Sequence, residues 1–401
     1  MNGYEKPFSI KALNSRFELV SLVAYTNLQW DRKFHEPGKF VLEMNSEQYT
    51  NEWMYIYSEQ RNELGVISQV NFKKESNGRK TVTISGLFEE ARLNQMVCYP
   101  KPTAFDDDSG THYGTSVLRL NSPTWLTQEG TADEVARAFF EGFKSISFRN
   151  YEIGDTTGQS IVPARYDLPI TFRNIESGNY HRAIHTRNGE KLGSKMYDIL
   201  AESDASYEVS LDYETSQLML DIVHGVNRAS SQTDPEINPV VLSTRNGTIK
   251  EASFVKSNTD TKDVVVQCSQ SEEQTLILIN QKPNAIGRFV FQNMSSNQGD
   301  YIKEETVDKP SADKQHKLAV LGDATTVLYN ARDKINIEVD TDTGSYRYME
   351  DFDLGDIISL DIPEIDLSAD VEISEVHEVV KEGAWSLSLT LGTPLIRKRG
   401  I

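Results

Sequence analysis

Apolar residues recur at every second position in short runs at both ends of this chain, and that period is the pattern of half-buried strands. The runs "ELVSLVAYTNLQW", "KFVLEM", "WMYIYS", "LGVISQVNF" and "KTVTISGLF" fill the stretch from Phe17 to about Met96, separated by turn-rich pieces such as "KESNGRK". Short strands at such close intervals suggest a small antiparallel barrel or sandwich. The end of the chain, from "INIEVDTDTGSYRYMEDFDLGDIISLDI" onward, is strand-rich again.

Within the first region, Leu28, Trp30, Arg32 and Phe34 share one side of a strand, and Phe40, Leu42 and Met44 share one side of the next. Between them Glu36-Pro37-Gly38-Lys39 spells a type II turn, with proline presetting the backbone and Gly38 free to take positive φ. Asp31, His35 and Glu36 are residue types that perform acid–base chemistry. Neighbours on a hairpin corner point to opposite faces, however, whereas an acid–base pair must converge on one substrate atom. The expectation is therefore scaffold, with His35 and Glu36 as solvated turn residues.

The two β-rich ends also resemble each other. "VISQVNFKKESNGRKTVTISG" and "EISEVHEVVKEGAWSLSLTLG" share the order strand, charged glycine turn, strand, glycine, and Ser68 to Gly86 covers the same span as Ser374 to Gly392. A paired hairpin fixes such a span through its register, so a duplication is expected.

Between the ends the pattern changes. "YPKPTAFDDDSGTHYG" marks a boundary with prolines and an acidic loop. Thr131 and Glu134 form a capping box for a helix with Val135, Ala138, Phe139 and Phe143 on one face. A second helix is expected over 194–202, with Met196, Ile199 and Leu200 inward, followed by a hairpin in "SYEVSLDYETSQLMLDIV". A third covers about 312–330, with Leu318, Leu321, Ala324 and Leu328 on one face. The expected fold class is mainly β with α+β insertions, built on two small antiparallel β-barrel domains related by duplication. The expected borders are 1–104 for the first barrel, 105–205 for an inserted α+β domain, 206–235 with 318–401 for the second barrel, and 236–317 for an inserted mixed domain.

A chain of 401 residues with 38% hydrophobic residues can bury cores in several domains. No apolar run approaches the roughly 20 residues that cross a bilayer, and the first residues lack the charged-then-apolar order of a signal peptide. Synthesis in the cytoplasm is expected. Cys98 and Cys268 stand far apart, which suggests neither a disulfide framework nor a zinc knuckle. The net charge of −19 opposes binding to a nucleic-acid backbone. It would suit a surface along which DNA slides without sticking, or simply a soluble one.

Other candidate chemistry is sparse. His181 and His185 in "YHRAIH" have the spacing of two ligands on one helical face, but lack the glutamate of a zinc protease. "DTDTGS", from Asp340 to Ser345, departs from a calcium loop in its glycine position and has no closing glutamate. "FDDDSG", Phe105 to Gly110, reads as a solvated acidic loop. There is no nucleophile elbow, P-loop or dinucleotide fingerprint, so no catalytic residue, cofactor or metal is expected. Asn246 and Asn293 match the glycosylation pattern, which means little without a secretion signal.

Taken in order, "YTNLQWDRKFHEPGKFVLEM", "VVLSTRNGTIKEASFVKSNTDTKDVVVQ", "DFDLGDIISLDI" and "SLTLGTP" resemble the tail-hub proteins of siphophages and phage-like particles, over nearly the full length. The resemblance implies two small β-barrels with insertions, assembled as a homotrimer at the distal end of the tail in the virion. It implies a tail tube or distal tail protein, a tape measure protein and a tip fibre, spike or receptor-binding protein as partners, with DNA passing through the lumen. It marks Trp30, Asp31, Arg32, Pro37 and Gly38, and later Asp353, Leu354, Gly355 and Asp356, as structural turn signatures. Buried carboxylates capping backbone N–H groups would account for such turns. Some relatives extend into a lysin or carbohydrate-binding domain; here "TPLIRKRGI" follows the last strand directly, so none is expected. The alternatives are a tail-associated peptidoglycan or glycan hydrolase using Asp31, His35 and Glu36 or the "FDDDSG" acids, and a receptor-binding module.

Overall fold

The computed structural model describes residues 9–96, 127–145, 170–173, 182–186, 190–257, 261–270, 275–281, 285–293, 324, 327–328, 334–341 and 345–392. The first β-rich region forms β1 (Ile10–Leu13), β2 (Leu19–Val23), β3 (Tyr25–Lys33), β4 (Lys39–Asn45), β5 (Tyr55–Ser58), β6 (Glu63–Lys74) and β7 (Lys80–Phe88). An α+β segment follows with β8 (Thr127–Thr131), α1 (Ala132–Ser145), β9 (Ile170–Phe172), β10 (Arg182–Thr186), α2 (Leu192–Ala201), β11 (Ala205–Asp212) and β12 (Gln217–His224). Then come β13 (Asn227–Arg228), β14 (Val241–Ser243), β15 (Ile249–Ser257), β16 (Val264–Gln270), β17 (Thr275–Gln281), β18 (Phe289–Asn293), β19 (Lys334–Thr341), β20 (Ile357–Ile362), β21 (Leu367–Lys381) and β22 (Ala384–Gly392).

Fourteen strands make one sheet, whose main path runs β15-β19-β22-β21-β3-β4-β7-β6-β5-β1-β2, with β20 on β21 and with β13 and β14 on β20. The mainly β expectation holds. The two closed barrels do not appear among the described residues, because this path is open. Within it lie two five-strand units of one topology: β3, β4, β5, β6 and β7 in the order β3-β4-β7-β6-β5, and β15, β19, β20, β21 and β22 in the order β15-β19-β22-β21-β20.

The bulges repeat with the topology. Ser68 is the extra residue in β6, and its hydroxyl donates to the Ser85 carbonyl at 3.2 Å. Ser374 is the extra residue in β21, and its hydroxyl donates to the Thr390 carbonyl at 3.0 Å. Thr26 in β3 and Lys250 in β15 are the extra residues of the two leading hairpins, each next to the first residue of its strand. A bulge bends its strand and increases the local twist, so matched bulges give the two units the same curvature. The register refines the alignment read from sequence: Gly86 falls on Leu391, one residue before Gly392, because the hairpin loops differ in length.

Each unit has its own core. Trp30, Phe40, Leu42, Met44, Ile56 and Ile84 fill the first, and Ile337, Val339, Leu360, Ile373, Val376 and Leu389 the second. Trp385 packs against both. The α+β segment shares a third core with the first unit, where Leu13, Tyr55 and Leu64 meet Phe139, Phe140, Met196 and Leu200. Its first helix starts as the capping box requires: the Thr131 N–H donates to Glu134 Oε2 at 2.9 Å, and the Glu134 N–H to Thr131 Oγ1 at 3.3 Å. Val135 and Phe139 are buried, with Ala138 at the edge of that face. Phe143 has no described side chain. The expected 194–202 helix is α2, and the hairpin after it is β11–β12. Of the 312–330 helix only Ala324, Val327 and Leu328 are described, and they are helical.

The expected border at 206 cuts across these pairings. β11 pairs with β12, and β12 runs parallel to β9, so the hairpin belongs with the α+β segment. Strands that join β20 begin only at Asn227. Likewise β15, inside the expected 236–317 insertion, pairs with β19 of the second unit.

Candidate functional site

The two units meet where β21 pairs antiparallel with β3, from Glu375 opposite Lys33 to Lys381 opposite Asn27. Here the alternation in β3 breaks, with Trp30, Asp31 and Arg32 buried in succession. Each face of the sheet carries a charged cluster at this seam, buried on the Arg32 side and partly exposed on the Asp31 side.

On one face Arg32, buried against both units, pairs through Nε with Glu63 Oε1 and donates from Nη1 to Asp353 Oδ1 at 2.8 Å and to the Tyr348 hydroxyl. Trp30 Nε1 donates to the other Glu63 oxygen at 2.5 Å. Beside them Glu378, with no exposed surface, receives a bidentate pair from Arg61 at 2.7 and 2.6 Å and a bond from Trp385 Nε1 at 3.1 Å. The Arg61 guanidinium lies 5.3 Å from the Tyr348 ring centre. Burial opposes the charge on Arg32, but the Glu63 carboxylate overcomes it and holds the guanidinium well above its usual range. Burial likewise pushes the Glu63 carboxyl up to about 7, against the pull of Arg32 and Trp30. Charge-assisted, bidentate bonds of this kind fix orientation as well as contributing energy.

On the other face Asp31 Oδ1 lies 3.2 Å from His377 Nδ1, its register partner, with Lys39 at 3.4 Å and Gln29 donating at 2.7 Å. Burial would raise the Asp31 carboxyl, but the His377 hydrogen bond and charge outweigh it and hold the group below its usual range. Burial would lower His377, yet Asp31 and Glu375 push it up to about 9, so the imidazole is a cation at neutral pH. The cluster thus links β3, β4 and β21 by charge.

The loop after β3 ties in the α+β segment. The Phe34 N–H donates to the Ser374 carbonyl at 2.9 Å, beside the bulge, and the Ser206 hydroxyl donates to the Phe34 carbonyl. The Phe34 ring packs on Gly355, where a β-carbon would sit 2.4 Å from it and where φ is +86°. Asp356 then organises the second turn: Oδ1 accepts from the Val226 N–H at 2.7 Å, and Oδ2 from Arg228 Nε at 2.7 Å and the Asp353 N–H at 2.9 Å. The Gly355 carbonyl passes so close to Gly225 that a β-carbon there would lie 1.7 Å from it.

The structure therefore brings Trp30 and Arg32 together through Glu63 and ties Arg32 to Asp353, places Gly355 and Asp356 in the adjoining turn, and turns Asp31 to the opposite face. Pro37 is half-buried in the loop. Two expectations about this corner are corrected. Gly38 is not among the positive-φ glycines; it is required because a β-carbon would meet the Asp31 carbonyl at 2.4 Å and the Phe88 ring at 2.5 Å. His35 is not a solvated turn residue: its side chain is half-buried, with Nε2 2.9 Å from Glu372 Oε1. Glu36 is exposed and pairs with Lys33 at 3.0 Å. Asp31, His35 and Glu36 thus engage three different partners and do not converge. The cavity beside Arg32 and Glu63 is about 40 Å³, room for water and not for a substrate.

Of the other candidates, Arg182–Thr186 is a strand paired with β8, so His185 does not lie on the helix its spacing suggested. His181, the "FDDDSG" loop, both cysteines' side chains and residues 342–344 of "DTDTGS" lie outside the described residues. Among the described residues no group of three or more potential metal ligands occurs, and no helix is long and apolar enough to cross a membrane. Sequence reasoning missed Glu63, Tyr348, Arg61, Glu378 and His377. Except for Glu63, each meets its partner from 316 to 346 residues away in the chain, so no local pattern marks it.

The chain matches the family model described as Siphovirus ReqiPepy6 Gp37-like protein over residues 10–112 and 159–393, including every residue of this seam. The chain belongs to this siphovirus family. No curated protein matches it. Among solved structures it is similar to a tail protein from Neisseria meningitidis MC58, at 11% identity and TM-score 0.49 with 96% of each chain covered. A 43 kDa tail protein of prophage MuSo2 from Shewanella oneidensis matches at 10% identity and TM-score 0.49, covering 96% of this chain and 98% of that one. Prophage tail protein gp18 from Listeria monocytogenes EGD-e matches at 10% identity and TM-score 0.45, covering 98% and 95%. The Arg32–Glu63 and Asp31–His377 clusters both lie within the residues that the siphovirus family model covers.

Proposed function

We propose that this protein is the tail-tip or baseplate hub of a siphophage or phage-like particle, joining the tail tube to the distal tip device as a homotrimer that surrounds the DNA path. The observation that carries the reading is the pair of five-strand units with the same strand order and the same two bulges, locked together by a charged seam. A chain with two such units, arising by duplication, presents six similar faces when three copies form a cyclic ring, which matches a sixfold tube to a threefold tip. The role is structural and needs no reaction. The Trp30–Gly38 and Asp353–Asp356 signatures serve it by fixing the angle between units. The net charge of −19 favours a lumen wall that repels phosphates. The tube or distal tail protein, the tape measure protein and the fibre, spike or receptor-binding protein are the partners this position supplies.

Immunogold electron microscopy of intact particles with an antibody to this chain tests the position. Label confined to the distal tail end is expected; label along the tube or on the head would overturn the reading.

A further inference from the structure

The two five-strand units differ in one respect that their shared topology leaves unexplained. In β21 the half beyond the Ser374 bulge is covered along its outer edge by β3. In β6 the corresponding half, beyond the Ser68 bulge, has no strand on that edge among the described residues, because β5 pairs only Glu63 to Val66. The second unit's counterpart of β3 is β15, whose strand pairing among the described residues is with β19 alone. Burial follows the pairing. Seven successive residues are exposed in β6, Ser68 to Lys74, and seven in β15, Lys250 to Lys256, whereas their counterparts in β21 and β3 are mostly buried or half-buried. Both exposed runs are apolar in part: Phe72 is 62% exposed, Val70 40%, Phe254 37% and Val255 46%.

We infer that the outer edge of β6 in one copy of this chain pairs antiparallel with the outer edge of β15 in the next, by the geometry that joins β21 to β3 within each chain. The bulges fix the register without reference to side chains, by placing Ser68 on Ser374 and Lys250 on Thr26. The internal pair Glu378 opposite Trp30 then becomes Phe72 opposite Phe254, and Val376 opposite Arg32 becomes Val70 opposite Lys256. The exposed phenylalanines of the two edges therefore face each other, although neither was used to set the alignment. Lys74 falls opposite Ala252 and Lys73 opposite Ser253, so no lysine opposes a lysine. Lysines on an open strand discourage indiscriminate pairing, and in this register none opposes another, while its last pair sets Glu75 against Glu251 just beyond the end of β6. In one chain the two edges belong to separate units with the seam between them, which makes the occupant a second copy. Each copy gives one edge and receives the other, a head-to-tail contact that closes into a ring when the rotation permits. This deepens the homotrimer reading and rests on it.

The test uses full-length Phe72→Asp and Phe254→Lys variants, both at exposed positions, with circular dichroism to check the fold and native mass spectrometry to read assembly. Wild type is expected as a trimer and each variant alone as a monomer. Each variant keeps the edge the other has lost, so an equal mixture is expected to form a one-to-one heterodimer that cannot close. A wild-type trimer with trimeric single variants, or a mixture that stays monomeric, overturns the edge pairing and leaves the trimer standing. Wild type that is monomeric at high concentration overturns both. A variant that loses its fold is replaced by Val70→Asp or Val255→Lys, read in the same way.

Discussion

Arg32 cannot lose its charge, so its pairing with Glu63 and Asp353 is what makes its burial tolerable. Arg32→Met should destabilise the chain by about 3–5 kcal/mol in chemical denaturation, because it strands the Glu63 carboxylate; Arg32→Met with Glu63→Gln should recover most of that loss. Gly38→Ala should cost about 1–3 kcal/mol through overlap with the Phe88 ring and the Asp31 carbonyl, and a melting temperature unchanged from wild type would contradict that packing. A third expectation concerns Glu90, buried with Oε1 on the Val209 N–H at 3.1 Å and pushed up by burial to about 8. The folded state then holds a proton that the unfolded state releases above its ordinary value of 4.5. Stability from this group is thus full below that value and falls as pH rises through about 8. Glu90→Gln should flatten the decline by about 1.4 kcal/mol per pH unit inside that window, measured by denaturation across pH. At this scale sequence was a partial guide. It singled out Trp30, Arg32, Gly38 and Asp353, but assigned Gly38 to turn conformation because a close approach of distant backbone leaves no local trace. His377 lay unmarked inside an ordinary strand, since only its pairing with β3 brings it to Asp31.

The strands themselves were legible, because the period of two survives wherever one face is buried and the other wet. The alternation of burial fails at Trp30, Asp31 and Arg32, where His377, Lys39 and Gln29 shield Asp31 on the second face, and that failure marks the seam. The repeated hairpin could be read from Ser68 and Ser374, since a bulged serine that bonds across to its partner strand leaves the same residue at the same place. The shared order of five strands could not, for it depends on long-range pairs such as β4 with β7 and β19 with β22. The strand pairing around residue 206 is hidden for a related reason: β11 and β12 alternate as any hairpin does, and only their contact with β9 ties them to the α+β segment. If the bulges are working parts of both units, Ser374→Ala, at a buried site, should cost about 1 kcal/mol. Ser68→Ala, on the exposed half of β6, should stay within about half a kcal/mol in an isolated chain. Equal losses in denaturation of monomeric protein would argue that β6 is already covered.

At the scale of the whole molecule, one open sheet holds two units of one topology, with two edges unpaired among the described residues that the proposed ring would join. The family is a siphovirus one, and the seam gives the rule by which units are joined. A resemblance noticed in the sequence pointed to siphophages as well, but a sequence carries no statement of which edges stay open, because exposure of Phe72 and Phe254 follows from the strand order. Amides along the outer edge of β6 and along β15 should exchange quickly in the monomeric Phe72→Asp variant and slowly in assembled wild type, while those of the β3–β21 seam stay protected in both. The central claim, that the two units are equivalent building blocks of one ring, is tested most directly by single-particle electron microscopy of the purified full-length chain. The expected image is a closed ring of three chains showing six sheet units at equal radius and equal angular spacing, alternating between the first and second unit. A monomer, or a ring in which the two units sit at different radii with β6 and β15 facing solvent, would contradict it.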